Sequence, residues 1–170
     1  MGKALRRNSF LWIVFVFSAM FFSCGGPKTP KAGEFAPDFK LKGINGNDYT
    51  LSDYKGKLVL LYFWVDNCDI CKKEFPVVQE NYEELKGEGF EILGIYIGDK
   101  TEPSKEFKEA YGVTFPMLVD ETYKVIDEYN ITASPTNYLV NPDGKIVRRI
   151  VGYLDKQQIS SLLYNIKMNK

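Results

Sequence analysis

The chain has 170 residues, 45% hydrophobic, 15% aromatic and 26% charged, which suits one globular domain and excludes both a disordered chain and a polytopic membrane protein. Its 22 basic and 22 acidic residues cancel, and no Lys/Arg run stands out inside the chain, so no nucleic-acid partner is expected. Histidine is absent, which removes histidine general bases, Ser-His-Asp and Cys-His nucleophiles, and histidine metal ligands. Three cysteines remain, Cys24, Cys68 and Cys71, an odd number that leaves one with a separate fate.

The N-terminus reads as an address. Lys3, Arg6 and Arg7 precede a 13-residue, nearly all-apolar stretch from Phe10 to Phe22. A spanning helix needs about 18 or more such residues, so this run has the length of a signal-peptide core instead. Ser23 and Cys24 follow. The segment resembles a bacterial lipoprotein signal, in which the cysteine after cleavage is acylated, although Phe21 stands where that signal usually has leucine. An uncleaved anchor and an ordinary secretory signal are the alternatives, and all three place the domain outside the cytoplasm, in the bacterial cell envelope. Removing residues 1–23 leaves 19 basic against 22 acidic residues. Residues 24–34, containing GGPKTPKAG, read as a flexible tether, and residues 35–170 as the folded domain.

Within that domain, Phe35 to Leu51 reads as a hairpin about Asn45-Gly46. Leu58–Trp64, LVLLYFW, has the continuous apolar character of a strand buried on both faces. Phe75, Val78, Tyr82 and Leu85 recur at helical spacing, and Gly87 and Gly89 end that helix. A second buried strand is expected over Glu91–Ile97, helices over Ser104–Tyr111 and Thr122–Tyr129, and a brief strand near Met117–Val119. Thr136–Val140 and Lys145–Val151 read as a hairpin about Asn141-Pro142-Asp143-Gly144. A last helix, Asp155–Lys167, would bury Ile159, Leu162, Leu163 and Ile166. Strand-helix-strand order followed by an antiparallel hairpin predicts an α/β fold with a mixed sheet covered by helices.

The chemistry-bearing motif is Cys68-Asp69-Ile70-Cys71, placed where a buried strand gives way to a helix. The first cysteine then lies near the helix N-terminus, where unpaired N–H groups and the dipole favour its thiolate. The second lies one turn on, close enough to close a disulfide, so the spacing serves two-step exchange. Zinc would need about four ligands and is poorly supplied, so no metal is expected. A c-type haem site would need histidine where Lys72 stands. An inert structural disulfide remains open. So does a peroxidase, although Val65 and Leu61 occupy the places where a peroxidase would carry its hydroxyl and its proline respectively.

From about Gly33 onward the chain resembles the ResA/TlpA family of membrane-tethered, extracytoplasmic thioredoxin-like oxidoreductases. The resemblance is carried by FAPDFKL, LVLLYFW followed by CDICKKEFP, the turn Ser134-Pro135-Thr136, and NPDGKIVRRIVGY. It implies a thioredoxin-like fold with an N-terminal hairpin and an inserted helix, Cys68 as nucleophile and Cys71 as resolving thiol. It also implies a cis peptide before Pro135, packed against the cysteines, with the backbone of Ser134 pairing with an extended substrate segment. Two residues depart from the family pattern: Asn67 replaces a tryptophan and Ile70 a proline.

Glu74 falls three residues after Cys71 on the same helical face. In ResA-like proteins a glutamate here lies beside the cysteines and helps set their proton transfers; buried, it would have a raised pKa. The alternative is a solvated member of the Lys72-Lys73-Glu74 cluster. Trp64 reads as a core and site-wall aromatic, and it joins Ser134, Pro135 and Thr136 as a candidate substrate-binding residue. Asp66 and Asp69 read as turn and first-turn residues. The resemblance thus implies a lipid-anchored thiol-disulfide oxidoreductase whose only redox group is the Cys68–Cys71 pair, with no other cofactor. Its implied partners are protein disulfides, among them apocytochromes c, and a membrane thiol-disulfide electron donor. The competing readings are a peroxiredoxin-type, thiol-dependent peroxidase and a non-catalytic partner-binding lipoprotein.

Overall fold

A computed structural model describes residues 28–161. The signal-like segment and Cys24 lie outside these residues, as do Leu162, Leu163 and Ile166 of the last expected helix. Among the described residues no helix is long and apolar enough to cross a membrane.

The centre of the fold is β3, Leu58–Trp64, whose seven residues are all buried. Apolar residues on both faces demand cover on both faces, and parallel pairing with β4 (Phe90–Tyr96) and antiparallel pairing with β6 (Thr136–Val140) place the strand in mid-sheet. Outward from β4 come β5 (Met117–Val119), then β1 (Lys40–Gly43) and β2 (Asp48–Thr50); outward from β6 comes β7 (Ile146–Val151). The sheet order is β2-β1-β5-β4-β3-β6-β7. Both expected hairpins are present. Gly46, at φ 84°, and Gly144, at φ 84°, supply the left-handed backbone their turns require.

Alternation along β3 sorts the core into two halves. Leu60, Tyr62 and Trp64 face Phe75 and Val78 of α1 (Asp69–Leu85), with Phe107 and Tyr111 of α2 (Glu102–Tyr111) packed behind. Val59, Leu61 and Phe63 face Phe39, Leu41, Val125 and Tyr129. The result is three layers, with the sheet, the N-terminal hairpin included, between α1 and α2 on one side and the short α3 (Lys124–Glu128) with Phe39 and Leu51 on the other. Residues 156–161 are helical, and Ile159 is buried on the α1 side.

Two helix limits differ from expectation for physical reasons. α2 starts at Glu102, ahead of Ser104, because Pro103 lacks only an N–H that the first turn would leave unbonded anyway. α3 is confined to Lys124–Glu128: Tyr123 sits in left-handed backbone at φ 59°, and buried Asp120 accepts the Ile126 N–H at 2.9 Å. Helix geometry cannot extend back through Tyr123.

Gly94 of β4 marks a close approach, because a Cβ there would lie 2.9 Å from the Phe115 ring and 3.0 Å from the Met117 sulfur. Overpacking of this kind costs about 1–3 kcal/mol. Gly94→Ala should therefore lower unfolding stability by that amount with an unchanged urea m-value; equal stability would show that the ring has room to move.

Candidate functional site

Cys68 is the N-cap of α1, with extended backbone (φ −106°, ψ 106°). It stands there because β3 ends at Trp64 and the chain turns through Val65–Asn67, where the Asp66 carboxylate accepts the Asn67 N–H at 3.0 Å. The cap places the Cys68 sulfur 3.0 Å from the Cys71 backbone nitrogen, whose N–H points at it. The helix therefore offers one unbonded donor and the positive end of its dipole to this sulfur. Cys68 and Cys71 are joined as a disulfide with Cα atoms 5.2 Å apart.

The two sulfurs differ in access. Cys68 is partly exposed, whereas Cys71 is fully buried against Trp64, Phe75 and their neighbours. An incoming thiol or disulfide meets Cys68 first. The Ser134 carbonyl oxygen lies 3.7 Å from the Cys68 sulfur, and the Ser134-Pro135 peptide is cis. Pro135 is buried, and its carbonyl accepts the Gly152 N–H at 2.8 Å, which ties the turn to the end of β7. An open groove beside the disulfide is lined by Val65, Ile70, Ile97, Ile131, Thr132 and Ala133. Ile70 is 47% exposed on its rim.

Trp64 and Thr136 belong elsewhere than at a substrate surface. Trp64 is completely buried, with its ring 4.9 Å from Phe75, 5.0 Å from Tyr96 and 4.6 Å from Phe107, centroid to centroid. It supports the cysteine helix from beneath and has no face for a substrate. Thr136 is equally buried, and its hydroxyl donates to the Ala133 carbonyl at 2.7 Å, bracing the cis turn. Ser134 alone among the expected substrate-contacting residues presents a polar atom to the reactive sulfur.

Glu74 is fully buried, not a solvated member of its basic cluster. One carboxylate oxygen accepts the Leu154 N–H at 2.8 Å and the Asn137 side-chain amide at 3.4 Å. Burial pushes its pKa up to about 7 against the opposing pull of Leu154, Asn137 and Tyr62. The Tyr62 hydroxyl donates to the Cys71 carbonyl at 3.5 Å; burial and the neighbouring Glu74 charge raise its own pKa well above the ordinary tyrosine value. A carboxyl whose pKa burial raises towards neutrality thus sits about one helical turn beyond Cys71.

Sequence reasoning did not find Asn137, Tyr62, Leu154, Ile97 or Ile131. Asn137 carried a usable signal, since an amide inside the apolar run Thr136–Val140 is a buried polar group in need of a partner. The others are ordinary apolar or aromatic residues, or act through a backbone N–H, and only the sheet register brings them to the site.

Comparison with known proteins agrees with this geometry. The AhpC/TSA family profile matches residues 32–149. The thiol-disulfide oxidoreductase ResA of Bacillus subtilis is 36% identical over 152 residues, covering 89% of this chain and 83% of that protein. Among solved structures, the thioredoxin domain of a thiol-disulfide oxidoreductase from Bacteroides vulgatus superposes with a TM-score of 0.71 at 29% identity, covering 81% of this chain and 98% of that one. An exposed lipoprotein thioredoxin from Streptococcus pneumoniae superposes with a TM-score of 0.64 at 32% identity, covering 76% and 99%. With a disulfide capped by a helix N-terminus, one sulfur reachable and one enclosed, the chain belongs to the AhpC/TSA family and, within it, to the ResA-like thiol-disulfide oxidoreductases of thioredoxin fold.

Proposed function

We propose that this oxidoreductase works outside the cytoplasm as a reductant of protein disulfides, held at the membrane by acylation of Cys24. Apocytochromes c, whose haem-attachment cysteines must be reduced, are the substrate class of choice, and a membrane thiol-disulfide carrier is the electron donor. The Cys68–Cys71 pair is the only redox group the reading requires. The observation that carries it is the inequality of the two sulfurs at the helix N-terminus. The lipoprotein reading is supported by the Streptococcus pneumoniae relative, which is itself described as an exposed lipoprotein.

In the reductive direction the Cys68 thiolate attacks one sulfur of the substrate disulfide, forming a mixed disulfide and expelling the other as a thiolate. Cys71 then gives up its proton and attacks the Cys68 sulfur, closing the enzyme disulfide and releasing the second substrate thiolate. Two electrons pass from the dithiol to the substrate. Glu74 is suited to receive the Cys71 proton, because a base with a pKa near the working pH combines ionised population with driving force. The Ser134 backbone would pair with the extended substrate segment and align its sulfur with Cys68.

Three outcomes test this reading. In the reduced protein Cys68 should alkylate much faster than Cys71; Cys71→Ala should accumulate mixed disulfides with its substrates, and Cys68→Ala should trap none. Comparable alkylation of the two thiols in the folded protein would remove the assigned order of attack.

Glu74 should also leave a mark on stability. Its folded pKa of about 7 exceeds the ordinary 4.5, so the folded state holds the extra proton between those values. Stability is then fully present below about pH 4.5 and is lost as pH rises through about 7. Two to three pKa units correspond to about 3 kcal/mol. Glu74→Gln, which mimics the neutral acid, should flatten this slope in urea titrations at fixed redox state and should slow exchange. An unchanged pH–stability curve and an unchanged pH–rate profile would make Glu74 a bystander.

The third outcome is the redox poise. Neither Asp69 nor Ile70 donates a charge-assisted hydrogen bond to the Cys68 thiolate, so the disulfide is relatively favoured. The reduction potential should lie below the ~ −180 mV of protein disulfide isomerase when equilibrated against glutathione. A value near the ~ −120 mV of strong periplasmic oxidants would assign the opposite direction of electron flow.

A further inference from the structure

The tether expected over residues 24–34 is, from Lys28 onward, bonded to the domain. The Gly33 N–H donates to the Ile146 carbonyl at 2.8 Å, the Ile146 N–H returns to the Glu34 carbonyl at 2.9 Å, and the Ala36 N–H reaches the Gly144 carbonyl at 2.9 Å. Residues 33–36 thus pair with the start of β7, and Phe35 bridges Lys145. Ahead of this pairing the chain folds back on itself. The Glu34 carboxylate accepts the Lys31 N–H at 2.9 Å and the Lys28 ammonium at 2.9 Å. Pro30 is buried, and the Asn130 side-chain amide donates to the Thr29 hydroxyl.

These contacts decide where the chain leaves the domain. Asn130 immediately precedes Ile131, which lines the groove beside the Cys68–Cys71 disulfide. From Asn130 to Ser134 is four residues, at most ~14 Å of main chain. The exit point is therefore the outer wall of the catalytic groove.

Length then decides orientation. Ten residues from Cys24 to Glu34 would reach ~35 Å, whereas the five from Cys24 to Thr29 reach at most ~18 Å. A domain of this size has a radius of gyration of about 14 Å, hence a diameter near ~36 Å. The longer leash would let any face turn to the bilayer. The shorter one, rooted at Asn130, does not.

We infer that residues 28–36 form a strap that roots the membrane anchor at the groove wall and holds the reactive disulfide towards the bilayer, to serve partner proteins anchored in the same membrane. The inference rests on the reading of Cys24 as the acylated residue. Its partner is a membrane-anchored protein whose disulfide lies close to the lipid surface; a soluble substrate gains nothing from the arrangement. The benefit is one of effective concentration and orientation, with no new contact needed.

The test uses the full-length lipidated protein in liposomes, with a fluorescent unnatural side chain at Thr132 on the groove wall or at Glu109 on α2, across the sheet. Lipids with nitroxide headgroups should quench the Thr132 label at least threefold more than the Glu109 label. Inserting twenty Gly/Ser residues between Gly26 and Pro27, ahead of the described residues, should equalise the two. The same insertion should slow reduction of an acyl-anchored disulfide peptide in those vesicles about tenfold and leave reduction of the soluble peptide unchanged. Thr29→Val should speed amide exchange over residues 28–34 without altering soluble-peptide reduction. Equal quenching in the parent protein, an anchored-to-soluble rate ratio indifferent to the insertion, or unchanged exchange in Thr29→Val would each overturn the strap. Lipidation is read separately from the mass of the N-terminal peptide: an unmodified Cys24 overturns the anchoring and the strap's role together, whereas an acylated Cys24 with equal quenching overturns the strap alone.

Discussion

Burial of β3 on both faces is the constraint from which the catalytic end of the molecule follows. Each of its large side chains contributes roughly 1.5–3 kcal/mol when removed from water, and they divide by the alternation of the strand, with Leu60, Tyr62 and Trp64 towards α1 and Val59, Leu61 and Phe63 towards α3. That division fixes the register in which Trp64 faces Tyr96 and Phe63 faces Thr136. The chain therefore leaves β3 where β4 also ends and β6 begins, and this brings Cys68, Ile97 and the Ser134-Pro135 turn together. A slip of one residue would move Cys68 by about 3.3 Å, comparable with the whole 3.7 Å separating its sulfur from the Ser134 carbonyl. The geometry of exchange is thus set by core packing well below the surface on which it occurs.

Much of this was legible because it is local or periodic. The limits of β3 and β5 follow from unbroken apolar runs, those of β6 from the turn Asn141-Pro142-Asp143-Gly144 that ends it, and the cysteine pair from its place after β3. Periodicity reports which face of an element is buried but not what lies opposite it. Glu74 could be placed on the same face as Cys71, yet its partners come from β6 and from the chain just after β7, 63 and 80 residues away in sequence. Trp64 was legible as a core aromatic, but not as a substrate contact, because the alternation of the strand points it wholly into the core. The strap was hidden for a different reason. GGPKTPKAG has the composition of a linker, and its docking depends on two backbone bonds to Ile146 and a side chain from Asn130, none of which composition records.

The electrostatics of the reactive sulfur also look different once the side chains are placed. Asp69 and Asp66 flank Cys68 in sequence and would oppose a thiolate there. The Asp69 carboxylate, however, is 90% exposed and lies 3.6 Å from the Lys72 ammonium, while that of Asp66 is engaged with the Asn67 N–H. A unit charge acting through water is worth only ~1 kcal/mol even at about 4 Å, before any counter-ion is counted. The helix dipole supplies a typical ~0.3–1 kcal/mol in the opposite sense. These surface contributions are of similar size and opposite sign, and the Cys71 N–H aimed at the Cys68 sulfur is the local form in which the helix N-terminus acts on it.

With the surface terms balanced, control of the exchange passes inward. Cys71 is wholly buried, and in the proposed exchange its proton must be taken before the resolving step can proceed. On the proposed reading the enclosed carboxyl of Glu74, raised by burial to a pKa of about 7 and on the same helix face, takes it. Its ionisation costs stability, because the charge forms in an apolar core with only the Leu154 N–H and the Asn137 and Tyr62 side chains to compensate. A glutamate left in solvent would cost nothing, but it would be almost fully ionised at neutral pH and a weak base. The fold thus accepts a destabilising acid in its core, and on the proposed reading the return is a base of matched strength for the resolving step.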